Sequence, residues 1–256
     1  MPPVLTAAVW GLIQGLTKFL PISSSGHLVL IPALFNFDEP GLAASVMLHL
    51  GTLAAVVAYY RADLLRLFHF RTDPEARRIL MLLVVGTIPA AVIGYALHDV
   101  IEVPFSEPWV VAVALMVTGV ILLFSTLVAK GLRRLAEGRW TDGVVVGLAQ
   151  AFAVLPGISR SGMTITAGMA QGFERREAAR YAFLLSIPAI AGAGLLDGLD
   201  LLDRGGFTRD LLVGMAVAAV VGYLAIAGLL RVLARVGLLP FAVYCLIFGA
   251  VAYWLV

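Results

Sequence analysis

The chain contains two similar stretches, Gly11-Leu-Ile-Gln-Gly-Leu-Thr-Lys-Phe-Leu-Pro-Ile-Ser-Ser-Ser-Gly26 and Gly147-Leu-Ala-Gln-Ala-Phe-Ala-Val-Leu-Pro-Gly-Ile-Ser-Arg-Ser-Gly162. We call them motif 1 and motif 2. They align without a gap and share seven identical pairs: Gly11/Gly147, Leu12/Leu148, Gln14/Gln150, Ile22/Ile158, Ser23/Ser159, Ser25/Ser161 and Gly26/Gly162. Repeated Pro, Ser and Gly residues inside apolar segments are typical of paired broken helices around a binding site at the membrane midplane. The two motifs therefore predict where the chemistry takes place.

The composition is that of an integral membrane protein. Of 256 residues, 61% are hydrophobic and 13% are charged, whereas soluble domains carry about 25% charged residues. Several apolar runs reach the roughly 20 residues that span a bilayer, which excludes a soluble protein with a large core. The net charge of +2 gives no indication of nucleic-acid binding. The single cysteine, Cys245, excludes an internal disulfide, and no Cys/His cluster has the spacing of a metal site.

The apolar runs predict an all-α polytopic protein. Ordinary spans are expected at 42–60, 79–98, 108–128, 181–197, 211–230 and 238–256. The two motifs interrupt runs at 4–35 and 142–170, which are long enough to enter the membrane and return but too short to cross it twice. Pro21 and Pro156 break helical hydrogen bonding within these runs. Each motif is therefore predicted to form a re-entrant, broken-helix hairpin.

The distribution of basic residues predicts the orientation. Segments 61–78, 129–141 and 172–180 are rich in arginine, while 36–41 and 99–107 carry only acids. The positive-inside rule places the basic segments in the cytoplasm. This assignment requires two halves of inverted topology within a single membrane domain, repeat 1 at about 1–130 and repeat 2 at about 140–256. Each half has one hairpin and three transmembrane helices, and both termini are external.

Motif 2 places an arginine within the membrane. The only acid in 142–170 is Asp142, at the edge of the run, and a guanidinium in the bilayer costs about 3 kcal/mol on insertion scales. The missing counterion is most simply an anionic ligand. Arg160, with Ser159, Ser161, Thr164 and the backbone N–H groups near Gly162, suits a phosphate. Alternatively, the hydroxyls only cap broken helices and Arg160 snorkels.

Motif 1 and the residue after it supply a second cation, hydroxyls and an imidazole. His27 is a candidate general acid or base toward phosphoryl oxygen, and a serine either attacks phosphorus or hydrogen-bonds it. The candidate catalytic residues are His27, Ser25, Ser159 and Arg160. The candidate substrate-binding residues are Gln14, Lys18, Ser23, Ser24, Gly26, Ser161, Gly162 and Thr164. His49 faces either the same cavity or a neighbouring helix.

These motifs resemble the bacterial undecaprenyl-pyrophosphate phosphatase family of the bacitracin-resistance type. The resemblance is carried by Gly15-Leu-Thr-Lys-Phe-Leu-Pro-Ile-Ser-Ser-Ser-Gly-His27, Pro156-Gly-Ile-Ser-Arg-Ser-Gly-Met-Thr164, Leu48-His-Leu-Gly-Thr52, Gly86-Thr-Ile-Pro89, Phe183-Leu-Leu-Ser-Ile-Pro188 and Leu239-Pro-Phe-Ala-Val-Tyr244. It implies hydrolysis of a C55 polyprenyl pyrophosphate at the outer face of the plasma membrane, which recycles the lipid carrier for cell-wall polymers. It also implies two inverted halves with re-entrant helices.

The chain departs from the family pattern at a carboxylate. Members of the family it resembles carry the pattern Glu/Gln-x-x-x-Glu, to which catalysis and the binding of a divalent cation are attributed. In this chain the first position is Gln14, which fits the pattern, and the second is Lys18 in place of glutamate. A second position that is usually acidic in the family, just before His49, is occupied by Ser45 in this chain. The resemblance implies Mg²⁺ or Ca²⁺, but these ions prefer carboxylate oxygens, so we expect no ordinary metal site.

Two interpretations of Lys18 remain open at this stage. In the first, the ammonium neutralises pyrophosphate in place of the metal, the chain is an active phosphatase, and ligand binding survives chelators. In the second, the chain is an impaired homologue that binds or flips polyprenyl phosphate. The glycines of 214–228, namely Gly214, Gly222 and Gly228, permit close helix packing and hence a homodimer.

Overall fold

The computed structural model of the chain describes residues 3–96, 107–128, 131–203 and 208–256. Within these ranges it contains eleven α-helices and one short 3₁₀ helix at Leu135–Glu137. The α-helices are α1 (Pro3–Phe19), α2 (Ser24–Phe35), α3 (Leu42–Tyr59), α4 (Arg61–Leu67), α5 (Pro74–Ala96), α6 (Pro108–Phe124), α7 (Trp140–Phe152), α8 (Arg160–Ala170), α9 (Arg175–Asp203), α10 (Arg209–Val236) and α11 (Leu239–Leu255).

Three of the described helices, α3, α5 and α10, are long and apolar enough to cross a membrane. Helices α2, α6 and α11 are apolar but have 12 to 17 residues. This architecture is that of a multi-pass, all-helical membrane protein, as the composition predicted. The inverted topology of the two halves, the depth of the hairpins and the homodimer stay predictions.

The expected spans correspond to observed helices but differ at their ends. The span expected at 181–197 lies inside the longer α9, and α5 begins five residues before the expected start at 79. Residues 97–98 of that span lie outside the described residues. Helix α5 begins early because Asp73 Oδ1 accepts hydrogen bonds from the backbone N–H of Glu75 and Ala76, at 2.9 and 3.2 Å. The charged first turn that follows is invisible to a hydropathy argument.

Both motifs interrupt helical structure, as their prolines predicted. In motif 1 the helices α1 and α2 are separated by residues 20–23, and in motif 2 the helices α7 and α8 are separated by 153–159. Gly157 has a φ of +90°, a backbone conformation that favours glycine. Helices α2 and α8 consequently begin inside the protein rather than at its surface.

Close helix packing joins the first part of the chain to the second. Helix α1 packs on α10, where a Cβ on Gly11 would lie 2.5 Å from the Gly214 carbonyl oxygen. Helix α5 packs on α7, where a Cβ on Gly147 would lie 2.6 Å from the Gly86 carbonyl oxygen. Helix α6 packs on α11 through Gly119 and Gly249. Small residues permit such approaches between membrane helices, and here they interlace the two halves.

Candidate functional site

A cavity of about 330 Å³ lies between the two helix breaks. Residues of both motifs line it, together with residues of α2, α3, α8 and α9. The polar lining comprises Lys18, Ser23, Ser24, Ser25, Ser45, His49, Ser159, Arg160, Ser161, Thr164 and Ser186. Apolar side chains such as Phe19, Leu28, Val154 and Phe183 complete the wall. The cavity thus combines a polar floor with an apolar wall.

Two cations face this cavity without a counterion. Lys18 lies in the last turn of α1, and Arg160 is the first residue of α8. Neither forms an ion pair with another residue that the structure describes, and no carboxylate lines the cavity. Asp142, the acid at the edge of the second apolar run, pairs instead with Arg133 at 2.8 Å. The positive charges of Lys18 and Arg160 repel one another, so an anion is the natural complement of the cavity.

One of the two identical serine pairs, Ser23 and Ser159, caps the two internal helices. Ser23 Oγ accepts a hydrogen bond from Gly26 N at 3.2 Å, and Ser159 Oγ accepts one from Gly162 N at 3.1 Å. Each capping hydroxyl also contacts the serine two residues later, at 3.3 Å and 3.2 Å respectively. Ser23 and Ser159 therefore act as the N-caps of α2 and α8. Glycine at 26 and 162 supplies the capped amides, and neither glycine lines the cavity.

Ser24 differs from its neighbours because its hydroxyl is uncommitted. It lines the cavity as the first residue of α2, and its side chain forms no hydrogen bond with any residue the structure describes. Helix N-termini favour anions through their free N–H groups and the helix dipole. Ser24 and Arg160 thus lie at two such termini that converge on one cavity.

A set of hydrogen bonds holds the two motifs together. Ser161 Oγ donates to the Leu20 carbonyl oxygen at 3.1 Å, which links motif 2 to motif 1. Thr118 Oγ1 donates to the Gly157 carbonyl oxygen and accepts from Ser159 N, both at 3.0 Å. Thr118 is a residue that the sequence analysis missed, since a single threonine in the apolar helix α6 gives no signal of its own.

His27 is buried and is not among the residues that line the cavity. Its Nδ1 donates to the Ser23 carbonyl oxygen at 2.8 Å, so Nε2 carries the lone pair and accepts from Tyr244 Oη at 2.7 Å. The ring also stacks with Tyr244 and with Phe248, at centroid distances of 5.7 and 5.1 Å. Both nitrogens are thus occupied in fixing the start of α2 against α11.

His49 is the imidazole that lines the cavity. Its Nδ1 donates to the Ser45 carbonyl oxygen at 2.8 Å. A carbonyl only accepts, so the neutral ring carries its hydrogen on Nδ1 and keeps the Nε2 lone pair available. Of the two locations that the sequence left open for His49, the structure places it at the cavity.

Gln14 is buried outside the cavity lining, as is its counterpart Gln150. The side-chain amide atoms of both residues have no hydrogen-bond partner among the described residues. The two identical glutamines are therefore alike in being buried and in having unsatisfied side-chain amides. Ser186, in contrast, lines the cavity from α9, where its position beside Pro188 was the available sequence signal.

The residues present do not fit a divalent cation. The described residues contain no group of three His, Cys, Asp or Glu side chains that could hold one. The cavity presents an ammonium and a guanidinium where Mg²⁺ or Ca²⁺ requires carboxylate oxygens. No chemical step is therefore assigned to a metal.

The sequence resemblance rests on motif 2, where Arg160 lies between Ser159 and Ser161, and on the similar motif 1. The profile of the family described as bacitracin resistance protein BacA matches residues 7–251. The chain belongs to this family.

Named relatives extend over almost the whole chain. An undecaprenyl-diphosphatase of Thermomicrobium roseum is 46% identical over 97% of this chain and 96% of its own length. Those of Alcanivorax borkumensis and Desulforudis audaxviator are 44% and 42% identical, over 97% and 94% of this chain and 98% and 93% of their own lengths. The similarity therefore includes both motifs and the helices that carry them.

Proposed function

We propose that the chain is an undecaprenyl-diphosphatase that releases phosphate from a polyprenyl pyrophosphate. The observation that carries this proposal is the cavity in which Lys18 and Arg160 lie unpaired between two helix N-termini. A pyrophosphate supplies the negative charge that such a cavity lacks, and the apolar wall suits the start of a polyprenyl chain. The names of the relatives support the same substrate.

In the proposed reaction the cations hold the substrate and a serine attacks it. Arg160 binds the terminal phosphoryl group through its two-pronged guanidinium, and Lys18 neutralises the negative charge of the bound pyrophosphate. Ser25 hydrogen-bonds a phosphate oxygen. Ser161 and Thr164, whose hydroxyls donate to backbone carbonyl oxygens, hold the lining of the cavity in place, and Ser23 and Ser159 cap the two helix termini. His27 acts as a positioning residue through α2.

We assign the nucleophile to Ser24 and the proton acceptor to His49. Ser24 Oγ attacks the terminal phosphorus, its proton passes to His49 Nε2, and the P–O bond to the bridging oxygen breaks. Polyprenyl phosphate leaves with the bridging oxygen and takes up the proton from His49. Water then attacks the phosphoserine, gives a proton to His49 Nε2 and releases inorganic phosphate; the Ser24 oxygen regains the proton from His49. The uncommitted Ser24 hydroxyl and the free Nε2 of His49 support this assignment.

We place the protein in the bacterial plasma membrane with the cavity open to the outer side. The two halves then have inverted topology, motifs 1 and 2 form re-entrant hairpins, and both termini are external. The arginines at the start of α5 and between α6 and α7 support a cytoplasmic location for these segments. Removal of phosphate at the outer face would recycle the lipid carrier for cell-wall synthesis.

The test is inorganic phosphate release from C55 pyrophosphate by the purified chain, with and without a chelator. The parent is expected to hydrolyse the substrate in both conditions, and Arg160→Ala to lose activity by about 10- to 150-fold, since a hydrogen bond to a charged group contributes about 1.5–3 kcal/mol. Arg231→Ala, on the exposed face of α10, is the control.

Two outcomes would contradict this function. Flipping of labelled polyprenyl phosphate in sealed vesicles without phosphate release would identify the chain as a lipid carrier. Activity that appears only in Lys18→Glu and only with Mg²⁺ or Ca²⁺ would identify it as an impaired phosphatase.

A further inference from the structure

A second recess, separate from the cavity, lies at the start of α5. We call it the arginine groove; it has a volume of about 660 Å³ and is lined by Pro74, Glu75, Arg77, Arg78, Met81, Ala136, Gly138, Arg139 and Trp140. It shares no lining residue with the cavity of the proposed active site. We infer that the arginine groove binds the phosphate of an anionic glycerophospholipid, which is a role separate from hydrolysis.

The groove is positively charged even though an acid lines it. The Glu75 carboxylate pairs with Arg66 at 2.7 Å and with Arg134 at 3.6 Å, and neither of these arginines lines the groove. Its negative charge is therefore already neutralised from outside. The exposed side chains of Arg77, Arg78 and Arg139 form no ion pair or hydrogen bond with the residues the structure describes.

The groove lies at a membrane boundary. Helix α5, which is long and apolar enough to span a bilayer, starts at Pro74 in the groove wall. Trp140, at the start of α7, is 62% exposed, and tryptophan is enriched at the level of lipid head groups. A phosphate bound by the three arginines would thus lie at the depth where the head groups of the bilayer lie.

An apolar surface continues from the groove in the direction of the membrane. Along α5, Val84, Ile88 and Val92 follow one another at helical spacing, and all are more than half exposed. On α7, which packs against α5, Leu148 and Phe152 are 51% exposed. Acyl chains attached to a phosphate in the groove would find this surface beside them.

Charge complementarity selects an anionic lipid over a zwitterionic one. Guanidinium groups match phosphate oxygens in a bidentate geometry, whereas the ammonium of phosphatidylcholine would lie close to three like charges. Basic pockets between membrane helices at the cytoplasmic side are known to receive anionic head groups. The positive-inside assignment places this groove at that side.

The experiment measures lipid retention by native mass spectrometry of the full chain in mixed detergent and lipid. The protein is expected to retain phosphatidylglycerol at least about 10-fold over phosphatidylcholine. The triple variant Arg77→Gln/Arg78→Gln/Arg139→Gln should lower this preference at least about 5-fold. The matched control, Arg176→Gln/Arg231→Gln/Arg235→Gln, changes the net charge equally at exposed arginines outside the groove and should change the preference less than about 2-fold.

The proposal is overturned if both triple variants lose preference equally, because attraction to the lipid is then diffuse. It is also overturned if millimolar inorganic phosphate displaces phosphatidylglycerol completely, since the groove would then be a site for free anions. Should the triple variant fail to fold, Arg139→Gln alone is compared with Arg231→Gln in the same assay. Phosphate release from C55 pyrophosphate, measured in detergent, is expected to be unchanged in the groove variant, which separates this inference from the proposed function.

Discussion

Motifs 1 and 2 reach the same helix cap by different backbone routes. In motif 1 four residues separate the helices, and Ser23 itself adopts a φ of +63°. In motif 2 seven residues separate them; Gly157 adopts the positive φ, and Ser159 has an ordinary extended φ of −77°. Non-glycine residues at positive φ carry strain. Motif 1 thus places strain on the capping residue, whereas motif 2 places the unusual backbone on a glycine two positions earlier.

The chemistry of the motifs differs more than their backbones do. The aligned pairs Lys18/Val154 and Ser24/Arg160 all line the cavity. One motif supplies an ammonium and a free hydroxyl, and the other supplies an apolar side chain and a guanidinium at the same two places. A repeated scaffold thus builds an asymmetric site, in which each cation is aligned with a neutral residue of the other motif.

The largest expected effect comes from the free hydroxyl of motif 1. Ser24→Ala should reduce phosphate release by about 1,000-fold or more while substrate still binds, because the variant lacks the proposed nucleophile. The matched change Ser25→Ala, one residue away, removes one hydrogen bond to the phosphate and the contact with Ser23 but leaves the proposed nucleophile, and it should cost less than about 10-fold. Equal losses in both variants would show that Ser24 has no special role.

Substitution of His49 and of His27 should affect different properties of the protein. His49→Ala is expected to lower kcat by about 100-fold, as for loss of a general base. A base must be deprotonated to act, so the variant should also lose the ascending limb of the pH–rate profile. His27→Ala should lower thermal stability and activity together but keep that limb, since His27 only positions α2. A pH profile unchanged in His49→Ala would contradict the assignment.

Substitutions of Lys18 test whether substrate binding needs the ammonium of motif 1 in addition to the guanidinium of motif 2. Lys18→Met should raise KM by about 10-fold, corresponding to about 1.4 kcal/mol of lost interaction with pyrophosphate. Val154→Met, at the aligned position of motif 2, is the control and should leave KM within about 2-fold. Hydrolysis by the parent should be insensitive to chelators, whereas Lys18→Glu should become responsive to Mg²⁺ or Ca²⁺ because it adds a carboxylate ligand. Strict metal dependence of the parent would contradict this account.

The smallest effects distinguish the two caps. Ser159→Ala should lower the free energy of unfolding by about 1 kcal/mol through the lost cap, and Ser159→Gly by a similar or smaller amount. At Ser23 the difference in stability between the glycine and alanine variants should be larger, because glycine adopts the positive φ without the strain that alanine would carry. Ser23→Gly is thus expected to be about 1 kcal/mol more stable than Ser23→Ala in detergent unfolding experiments. The same small difference at both sites would mean that Ser23 is not strained.

The sequence predicted the features that depend on local pattern. Pro21, Pro156 and the repeated serines identified both helix breaks, and the absence of an acid near Arg160 pointed to an anionic ligand. The expected spans located the corresponding helices but missed the charged starts of α5, whose cap is Asp73, and of α9, as well as the end of α10.

What the sequence did not contain was the direction in which each side chain points. His27 follows the serines of motif 1 and therefore suggested catalysis, yet one helical turn rotates its ring toward Tyr244, a residue 217 positions away. His49 and Thr118 lie on α3 and α6, outside motifs 1 and 2, and reach the site only through helix packing. Such long-range contacts depend on the tertiary arrangement, which a single sequence does not reveal.

The interlaced glycine contacts also bear on how the protein is made. Gly11, Gly15 and Gly51 each approach the backbone of α10 closely, and α10 is synthesised only after residue 208. During translation the first helices must therefore remain in the bilayer with the small-residue surfaces around these glycines covered by lipid or by an insertion factor. A nascent chain that stops before α10 exposes small-residue faces without a partner, and such a fragment is the natural substrate of membrane quality control.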